Sequence, residues 1–308
     1  MNDTTATLAE QRPPRPAITA ASAGRQNAFS VTRITPTIGA EIGDIDLRQP
    51  LDDNSLATLR RALLEHKVLF FRDQDITPAQ HVALARRFGE LEIHPVFPQH
   101  PEHPELVLLG GNQEVKATEN IYHTDVSWRA IPSMGSMLRC VECPEVGGDT
   151  IWVNMEAAYA ALPERMKKRI EGLYAVHDIM PAFARRMTAQ ERDLNRQKFP
   201  PATHPVVRTH PESGAKILYV NEGFVTHLAN YAEKHDSRGG FDFRYDQSDL
   251  LQYLYRQAMF PEYQVRLRWK PNTIAFWDNR STQHYAVQDY FPAVRRMMRA
   301  TIIGDRPF

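Results

Sequence analysis

Hydrophobic and polar residues alternate most regularly between Tyr263 and Trp269, where apolar side chains stand at 265, 267 and 269 with polar ones between them. This period of two predicts a half-buried antiparallel strand. The continuous apolar run 68–71 predicts a fully buried strand. Short apolar segments bounded by Gly, Pro, Asn or Asp predict further strands at 106–109, 136–141, 205–209, 216–221, 273–277 and 295–303.

Helical signals are fewer than strand signals. Residues 56–63 carry leucines at helical spacing. The segment 77–80, Thr-Pro-Ala-Gln, supplies an N-cap, a first-turn proline and a capping-box partner for a helix that reaches about residue 88. Residues 188–191 repeat the capping signal. Many strands, without regular strand–helix alternation or internal repeats, predict a mainly β fold with flanking helices, built as a closed barrel or a double sheet.

The amino-acid composition of the chain changes once along its length. Residues 1–28 are rich in Ala, Thr, Pro and Arg without periodicity, which predicts a flexible N-terminal tail. Nothing after it marks a second domain, so residues 29–308 are predicted to form a single domain. The polar and aromatic stretch 231–247 is either a surface insertion or a lid, and we favour the insertion.

Composition limits the classes of ligand. The 308 residues are 42% hydrophobic, which is too apolar for a disordered chain. Lys+Arg and Asp+Glu balance at 37 each, so no net field would attract nucleic acid or a membrane surface, and small ligands are expected. No apolar run reaches the roughly 20 residues of a membrane span, and no signal-peptide core is seen, which predicts a cytoplasmic protein. The expected assembly is a homo-oligomer.

The two cysteines, Cys140 and Cys143, have a spacing that suits redox exchange or half of a zinc site. A structural zinc needs four ligands and no second cysteine pair exists. A redox motif should open a helix, but the Pro- and Gly-containing segment 144–148 predicts a loop. We therefore predict two reduced, inert thiols.

Candidate chemistry begins with His123 and Asp125, because the chain has no nucleophile elbow, dinucleotide-binding turn, phosphate loop or H-E-x-x-H helix. Side chains two apart on an extended segment point to the same side, so one imidazole and one carboxylate can converge. A third ligand must come from elsewhere. Alone, the pair is a weak signal, and an isolated His and Asp on the surface is the commoner interpretation.

The context near the C-terminus strengthens the metal interpretation. Residues 277–280 end a strand and are followed by His284 and then Arg295. Two histidines and one carboxylate leave three adjacent coordination positions of a metal open, which suits oxygen-activating iron(II). The coordination shell of a zinc ion would usually be completed by a fourth ligand or a water. The alternative is that His284 is a core histidine bonded to backbone.

The last predicted strand places two arginines on one face. Period-two geometry puts Arg295 and Arg299 on the side that also carries Met297 and Thr301, and turns Arg296 away. If that face is the interior, each of the two arginines should meet a carboxylate or an anionic ligand. The alternative is a solvated face with two ordinary surface charges.

With these features, the chain from Val31 to Phe308 closely resembles the taurine dioxygenase branch of the iron(II)/2-oxoglutarate-dependent dioxygenases. Among the motifs that carry the resemblance are residues 89–95 (Gly-Glu-Leu-Glu-Ile-His-Pro), 123–126 (His-Thr-Asp-Val), 147–152 (Gly-Gly-Asp-Thr-Ile-Trp), 204–211 (His-Pro-Val-Val-Arg-Thr-His-Pro), 220–224 (Val-Asn-Glu-Gly-Phe) and 277–280 (Trp-Asp-Asn-Arg). The resemblance implies a double-stranded β-helix, or jelly roll, which agrees with the predicted strands.

Residue by residue, the resemblance implies that His123, Asp125 and His284 bind Fe(II) and are the catalytic centre. It implies that Arg295 pairs with the distal carboxylate of the cosubstrate 2-oxoglutarate and that Thr150 hydrogen-bonds the same group. A planar guanidinium suits a bidentate carboxylate. The implied reaction uses O2 and hydroxylates a substrate carbon, with succinate and CO2 as the coproducts.

For the prime substrate, the resemblance implies that His94, Arg299 and the backbone amide of Val126 bind a sulfonate. Phe224 and Trp128 match aromatic walls of the pocket. Hydroxylation of a carbon that bears sulfonate gives an adduct that loses sulfite, so taurine or a related alkylsulfonate is the expected substrate.

Two departures from the taurine enzymes affect the end of the pocket that would hold the substrate amine. Phe97 stands where they carry a tyrosine, and Glu119 stands near the position where they carry an asparagine that helps to orient substrate. An alkyl sulfate ester, a phenoxyacetate-type carboxylate or a small amino-acid derivative are therefore alternative substrates. A non-catalytic ligand-binding jelly roll would lack a metal ligand or Arg295, and neither is missing. A zinc hydrolase is a further alternative, which would hold only if zinc rather than iron supported activity and no oxygen were consumed.

Overall fold

The computed structural model describes residues 29–111, 120–235 and 241–308. The predicted tail 1–28 and Glu119 lie outside these ranges. The strands of the described residues are β1 Ser30–Arg33, β2 Ala40–Gly43, β3 Val68–Phe71, β4 Leu106–Leu109, β5 Ser133–Glu142, β6 Thr150–Asn154, β7 Tyr174–His177, β8 Ala202–Pro205, β9 Val207–Thr209, β10 Lys216–Leu218, β11 Val225–Leu228, β12 Gln264–Leu267, β13 Ile274–Asp278, β14 Thr282–Ala286 and β15 Arg296–Ile303. The α-helices are α1 Asp53–His66, α2 Pro78–Arg86, α3 Met155–Ala160, α4 Glu164–Ile170, α5 Met180–Phe183, α6 Ala189–Lys198, α7 Tyr231–Lys234 and α8 Phe241–Tyr255, and 3-10 turns span Ala184–Arg186, Arg256–Met259 and Pro261–Tyr263.

Two sheets form the jelly roll. The major sheet has seven strands in the order β1-β2-β3-β13-β5-β15-β4, and the minor sheet has the order β12-β6-β14. Buried side chains of both sheets meet in one core, in which Trp152 of the minor sheet packs against Trp277 and Phe70 of the major sheet, at ring centroid distances of 5.7 and 5.4 Å. Two smaller sheets, β11-β7-β8 and β10-β9, complete the β structure. The predicted fold class is confirmed.

Helices α1 and α2 cover the outer face of the major sheet. Leu59 and Leu63 of α1 and Val82 of α2 pack in one core with Ala300 and Ile302 of β15. Helix α2 begins at the predicted capping box, since Thr77 and Gln80 exchange both hydrogen bonds. In the described ranges, no helix is long and apolar enough to cross a membrane.

The two faces of β15 are those that the sequence predicts. Met297 packs in the core between the two sheets, whereas Ala300 packs beneath the helices. Arg295 and Arg299 are 6% and 4% exposed, while Arg296 is exposed and pairs with Glu142. The two arginines therefore face the interior of the barrel, and the solvated alternative is wrong.

The sequence patterns missed the strands β6 and β14, which pair with each other in the minor sheet. Strand β14 carries three consecutive buried polar residues, Thr282, Gln283 and His284, so it has no alternation of apolar and polar positions. The prediction for 231–247 was also incomplete. Tyr231 and Gln247 are buried, so both ends of that stretch pack into the fold rather than project as an insertion.

The cysteines are free, as predicted. Cys140 lies in the core between the two sheets and Cys143 is half-buried. Burial, together with the neighbouring Cys143, raises the pKa of the Cys140 thiol. A thiol that resists ionisation is a poor nucleophile, in agreement with the prediction of inert thiols.

A buried ion pair fixes the turn between β13 and β14. The Arg280 guanidinium donates to both oxygens of Asp278, at 2.9 and 2.7 Å, and Nε2 of His210 lies 3.0 Å from the same carboxylate. Burial alone would raise the pKa of Asp278, but Arg280 and His210 outweigh it and hold the pKa well below its usual range. Glu212 pairs with Arg280 at 2.7 Å, so the turn that precedes His284 is held from several sides.

We expect Asp278→Asn to lower the free energy of unfolding by about 3 kcal/mol at pH 7, because the buried Arg280 would lose its bidentate carboxylate and keep only Glu212. A depressed pKa stabilises the fold above the unfolded value of about 3.9, and this contribution is lost as pH falls towards the folded pKa. The difference in the free energy of unfolding between wild type and variant should therefore decrease below about pH 4. Denaturant unfolding at several pH values measures this difference, and Asp193→Asn, at an exposed position, is the control. A difference in the free energy of unfolding that stays constant down to pH 3 would contradict this account.

Candidate metal centre and active-site cavity

His123 and His284 face each other across a β-bridge. The amide of each donates to the carbonyl of the other, at 3.1 and 2.9 Å, and their ring centroids are 4.2 Å apart. The expected extended segment ends at Asp125, which begins a turn. Asn279 holds this turn, because its side chain accepts from the Asp125 amide and donates to the Asp125 carbonyl, both at 2.9 Å.

The three predicted metal ligands converge. One ligand atom from each of His123, Asp125 and His284 lies within 4.8 Å of the other two. Nδ1 of His123 donates to the Ile121 carbonyl at 2.8 Å, which leaves Nε2 free to bind a metal. Burial, followed by the nearby His123, lowers the pKa of His284 to about 3, so this imidazole is neutral at pH 7. Two imidazoles and one carboxylate form a donor set that fits iron(II).

Arg299 meets a carboxylate, as expected for an arginine on the buried face of β15. Its Nη1 donates to both oxygens of Asp125, at 2.8 and 2.9 Å, a partner that neither the strand pattern nor the resemblance named. The distance along β15 could not reveal this pair, because Asp125 reaches Arg299 from a separate turn. Burial would raise the pKa of Asp125, and Arg299 is the main cause that instead holds it well below its usual range. The carboxylate therefore stays ionised, and each oxygen keeps a further lone pair.

Arg295 and Thr150 lie together, as the sequence predicted. Nε of Arg295 donates to the Gly148 carbonyl at 3.1 Å, and Nη2 donates to Oγ1 of Thr150 at 3.3 Å. Trp269 donates to the same Oγ1 at 2.9 Å, and its ring lies 5.9 Å from the guanidinium carbon. Gly110 allows the end of β4 to approach, since a Cβ there would lie 1.9 Å from the Arg295 carbonyl oxygen.

The predicted site residues line one cavity of about 590 Å³. Each predicted site residue that the structure describes contributes to its wall: His94, Phe97, His123, Asp125, Val126, Trp128, Thr150, Phe224, His284, Arg295 and Arg299. The cavity therefore joins the metal ligands, the Arg295–Thr150 pair and the predicted substrate groups in one space.

Two backbone amides hold His94 in one tautomer. Its Nδ1 accepts from the amides of Val96 and Phe97, both at 3.2 Å, so the ring proton is on Nε2. Burial, followed by the charge of Arg299, lowers the pKa of His94 to about 3. His94 is therefore a neutral hydrogen-bond donor at pH 7.

The sequence patterns missed the wall formed by α5 and the 3-10 turn after it. Phe183 stacks on Phe224, with ring centroids 6.3 Å apart, and meets Phe97 edge-on at 5.4 Å. Helix α5 has four residues, too few to show a helical period. Its local signals are Pro181 in the first turn and Asp178, whose side chain accepts from the Met180 amide at 2.9 Å. Further lining residues that were not predicted include Asn120, Arg185, Arg186 and Gln288.

Comparison with known proteins identifies the family. Residues 30–301 match the model of the "Taurine catabolism dioxygenase TauD, TfdA family". The chain belongs to this family. It is an iron(II)- and 2-oxoglutarate-dependent dioxygenase, and the cofactors of this TauD-family enzyme are Fe(II), 2-oxoglutarate and O2.

Relatives of this TauD-family dioxygenase align over most of its length. The alpha-ketoglutarate-dependent sulfate ester dioxygenase of Pseudomonas putida is 34% identical over 291 residues, which cover 91% of each chain. The alkylsulfatase of Acinetobacter baylyi is 36% identical over 286 residues, which cover 90% of this chain and 86% of that protein. The crystal structure of a taurine dioxygenase from Burkholderia xenovorans superposes with a TM-score of 0.75 at 34% identity, covering 91% of this chain and 90% of that one.

We expect His284→Ala to lower the affinity for a divalent metal by more than about 100-fold, because even partners behind the ligands contribute 10–100-fold. Equilibrium dialysis with Mn(II) measures the affinity, and circular dichroism confirms that the variant is folded. The control is His81→Gln, since His81 is fully buried and contacts the Met137 carbonyl, away from the triad. Equal metal affinity of the two variants would exclude His284 as a ligand.

Proposed function

We propose that this TauD-family dioxygenase hydroxylates the carbon that carries the sulfonate of an alkylsulfonate or the ester oxygen of an alkyl sulfate. A hydroxylated sulfonate would release sulfite and an aldehyde, and a hydroxylated sulfate ester would release sulfate and an aldehyde. Each turnover would convert 2-oxoglutarate and O2 to succinate and CO2. The observation that carries the proposal is that hydrogen-bond donors for an anion and aromatic side chains line the same cavity.

Three hydrogen-bond donors line the cavity and are available to an anion. His94 presents its Nε2 proton, and Arg299 lies on the cavity wall with a positive charge. The Val126 amide has no acceptor among the described residues, and its residue has a positive φ of 56°. A tetrahedral sulfo group has three oxygens that can accept such donors, and charge-assisted bonds of this kind are the strong ones.

Aromatic side chains line the cavity close to these donors: Phe97, Trp128, Phe183 and Phe224. The His94 ring lies 4.7 Å from the Phe97 ring and 6.3 Å from the Trp128 ring. Asp125 is the only carboxylate among the described lining residues, and Arg299 already pairs with it. An ammonium group placed there would lack a partner, which is costly in a buried site. These walls therefore favour an apolar chain over the amine of taurine, and the names of the two sulfate-ester relatives support the same class.

We assign the cosubstrate to the side of Arg295 and Thr150. Their pairing presents a guanidinium and a hydroxyl to the distal carboxylate of 2-oxoglutarate. His123, Asp125 and His284 would hold the iron, which with 2-oxoglutarate and O2 supplies the oxidising power of the reaction. The protein orients the substrate carbon towards this centre and excludes water from it.

A substrate screen tests the proposal. Protein reconstituted anaerobically with Fe(II) and 2-oxoglutarate is mixed with oxygen and with hexyl sulfate, hexanesulfonate, taurine, phenoxyacetate or hexylamine. We expect hexyl sulfate or hexanesulfonate to give succinate with matching sulfate or sulfite. Preferred turnover of hexylamine or phenoxyacetate would contradict the assigned substrate class.

Arg295→Leu should raise the concentration of 2-oxoglutarate needed for half-maximal turnover, because the loss of a buried charged partner costs roughly 2–5 kcal/mol. Arg296→Leu is the matched control, since this neighbouring arginine is exposed on the opposite face of β15. Steady-state kinetics with varied 2-oxoglutarate compares the two variants. Equal effects would remove Arg295 from the cosubstrate site.

The binding of hexyl sulfate should not change between pH 6 and 8 through titration of His94. A pKa lowered to about 3 keeps this imidazole neutral over that range, so its Nε2 proton is a constant donor. Calorimetric titration of the Mn(II)- and 2-oxoglutarate-loaded protein without oxygen measures the affinity, with His94→Asn in parallel. An affinity that rises with protonation near pH 6.5, and loses this dependence in His94→Asn, would show a charged imidazole instead.

A further inference from the structure

A buried polar cluster lies behind the loop that carries Asp125. Ser127 is fully buried, and its hydroxyl lies 3.0 Å from Nδ1 of His177 and accepts from Nδ2 of Asn221 at 3.1 Å. Its backbone carbonyl accepts from Nε2 of His204 at 3.0 Å. None of these four residues lines the cavity, so the cluster acts on a substrate only through its neighbours.

The cluster is bonded to the aromatic wall of the cavity. Oδ1 of Asn221 accepts from the Phe224 amide at 3.0 Å. Asp178, which follows His177 in the chain, donates its amide to the Phe224 carbonyl at 2.8 Å. The side chain of Asp178 accepts from the Met180 amide, at the start of α5. The positions of Phe224 and α5 therefore depend on residues that also fix Ser127.

The cluster also fixes a strained residue. Val126 has a φ of 56°, a conformation that a β-branched residue rarely adopts unless its surroundings hold it there. Asn279 holds Asp125 on one side of it, and the bonds to the hydroxyl and carbonyl of Ser127 hold the other side. The Val126 amide is thereby left without an acceptor among the described residues, at the edge of the cavity.

We propose that Ser127 is a positioning residue for the prime substrate. Its hydroxyl, bonded to His177 and Asn221, keeps the Val126 amide directed at the sulfo group and keeps Phe224 against the alkyl chain. The inference rests on the proposed function, because it assumes a sulfo anion at the Val126 amide. It assigns Ser127 no contact with iron, 2-oxoglutarate or the reacting carbon.

The alternative is that the cluster only satisfies buried polar groups. In that case the loss of the Ser127 hydroxyl would lower stability and weaken 2-oxoglutarate and prime substrate alike. If Ser127 is a positioning residue, its loss should weaken the prime substrate more than 2-oxoglutarate. Arg295 donates to the Gly148 carbonyl and to Thr150, and neither residue belongs to the cluster.

The test uses Ser127→Ala and Ser127→Thr in the full chain, loaded with Mn(II) and 2-oxoglutarate without oxygen, with hexyl sulfate and hexanesulfonate as the probes. We expect Ser127→Ala to raise the Kd of the probe that the wild type binds by about tenfold, as for one lost hydrogen bond to an anion. The Kd of 2-oxoglutarate should change less than about twofold, and Ser127→Thr, which keeps a hydroxyl, should restore most of the probe affinity. If Ser127→Ala does not fold, the nearly isosteric Ser127→Cys, a weak hydrogen-bonding group, takes its place.

Ser55→Ala is the matched control. Ser55 is also buried, at 3% exposed, and lies in α1 on the outer face of the major sheet. The control should leave the Kd of the probe unchanged. Wild-type affinity in Ser127→Ala, or equal losses for the probe and 2-oxoglutarate, overturns this inference alone. A wild-type protein that binds neither probe overturns the proposed function and this inference with it.

Discussion

Asp125 must stay ionised in an interior that disfavours its charge. Its side chain is almost fully buried, and burial by itself would favour the neutral acid, which is a poor metal ligand. The contact with Arg299 reverses this preference, because a guanidinium at hydrogen-bond distance lowers the energy of the carboxylate in a medium that screens charge weakly. The metal centre depends on this one buried pair.

The rest of the fold brings the two members of the pair together. Arg299 lies on β15 between β4 and β5, so the major sheet fixes the backbone that carries it. Asp125 lies in a turn held by Asn279, and Asn279 belongs to the β13–β14 turn that the Asp278–Arg280 pair stabilises. The same turn leads into β14, which carries His284. The geometry of the triad thus depends on one short segment, 277–280, which holds Asp125 and leads into the strand of His284.

Local patterns in the sequence were sufficient for some features of this site and insufficient for others. The shared face of Arg295 and Arg299 followed from period-two geometry, and the convergence of the triad followed from motif spacing and family resemblance. The Arg299–Asp125 pair did not, because it joins a strand to a turn that lies 174 residues away in the chain. The neutral state of His94 could not be predicted either, since it depends on burial and on two backbone amides. Strand β14 was missed because its buried positions are polar.

The most direct test of the account is a crystal structure of the protein with Mn(II), 2-oxoglutarate and hexyl sulfate, grown without oxygen. The account predicts the metal on His123, Asp125 and His284, and the distal carboxylate of 2-oxoglutarate on Arg295. It predicts the sulfo group within hydrogen-bond distance of Nε2 of His94, the Arg299 guanidinium and the Val126 amide, with the alkyl chain against Phe224. A sulfo group bound at the mouth of the cavity, with the alkyl chain directed at Arg299, would contradict it.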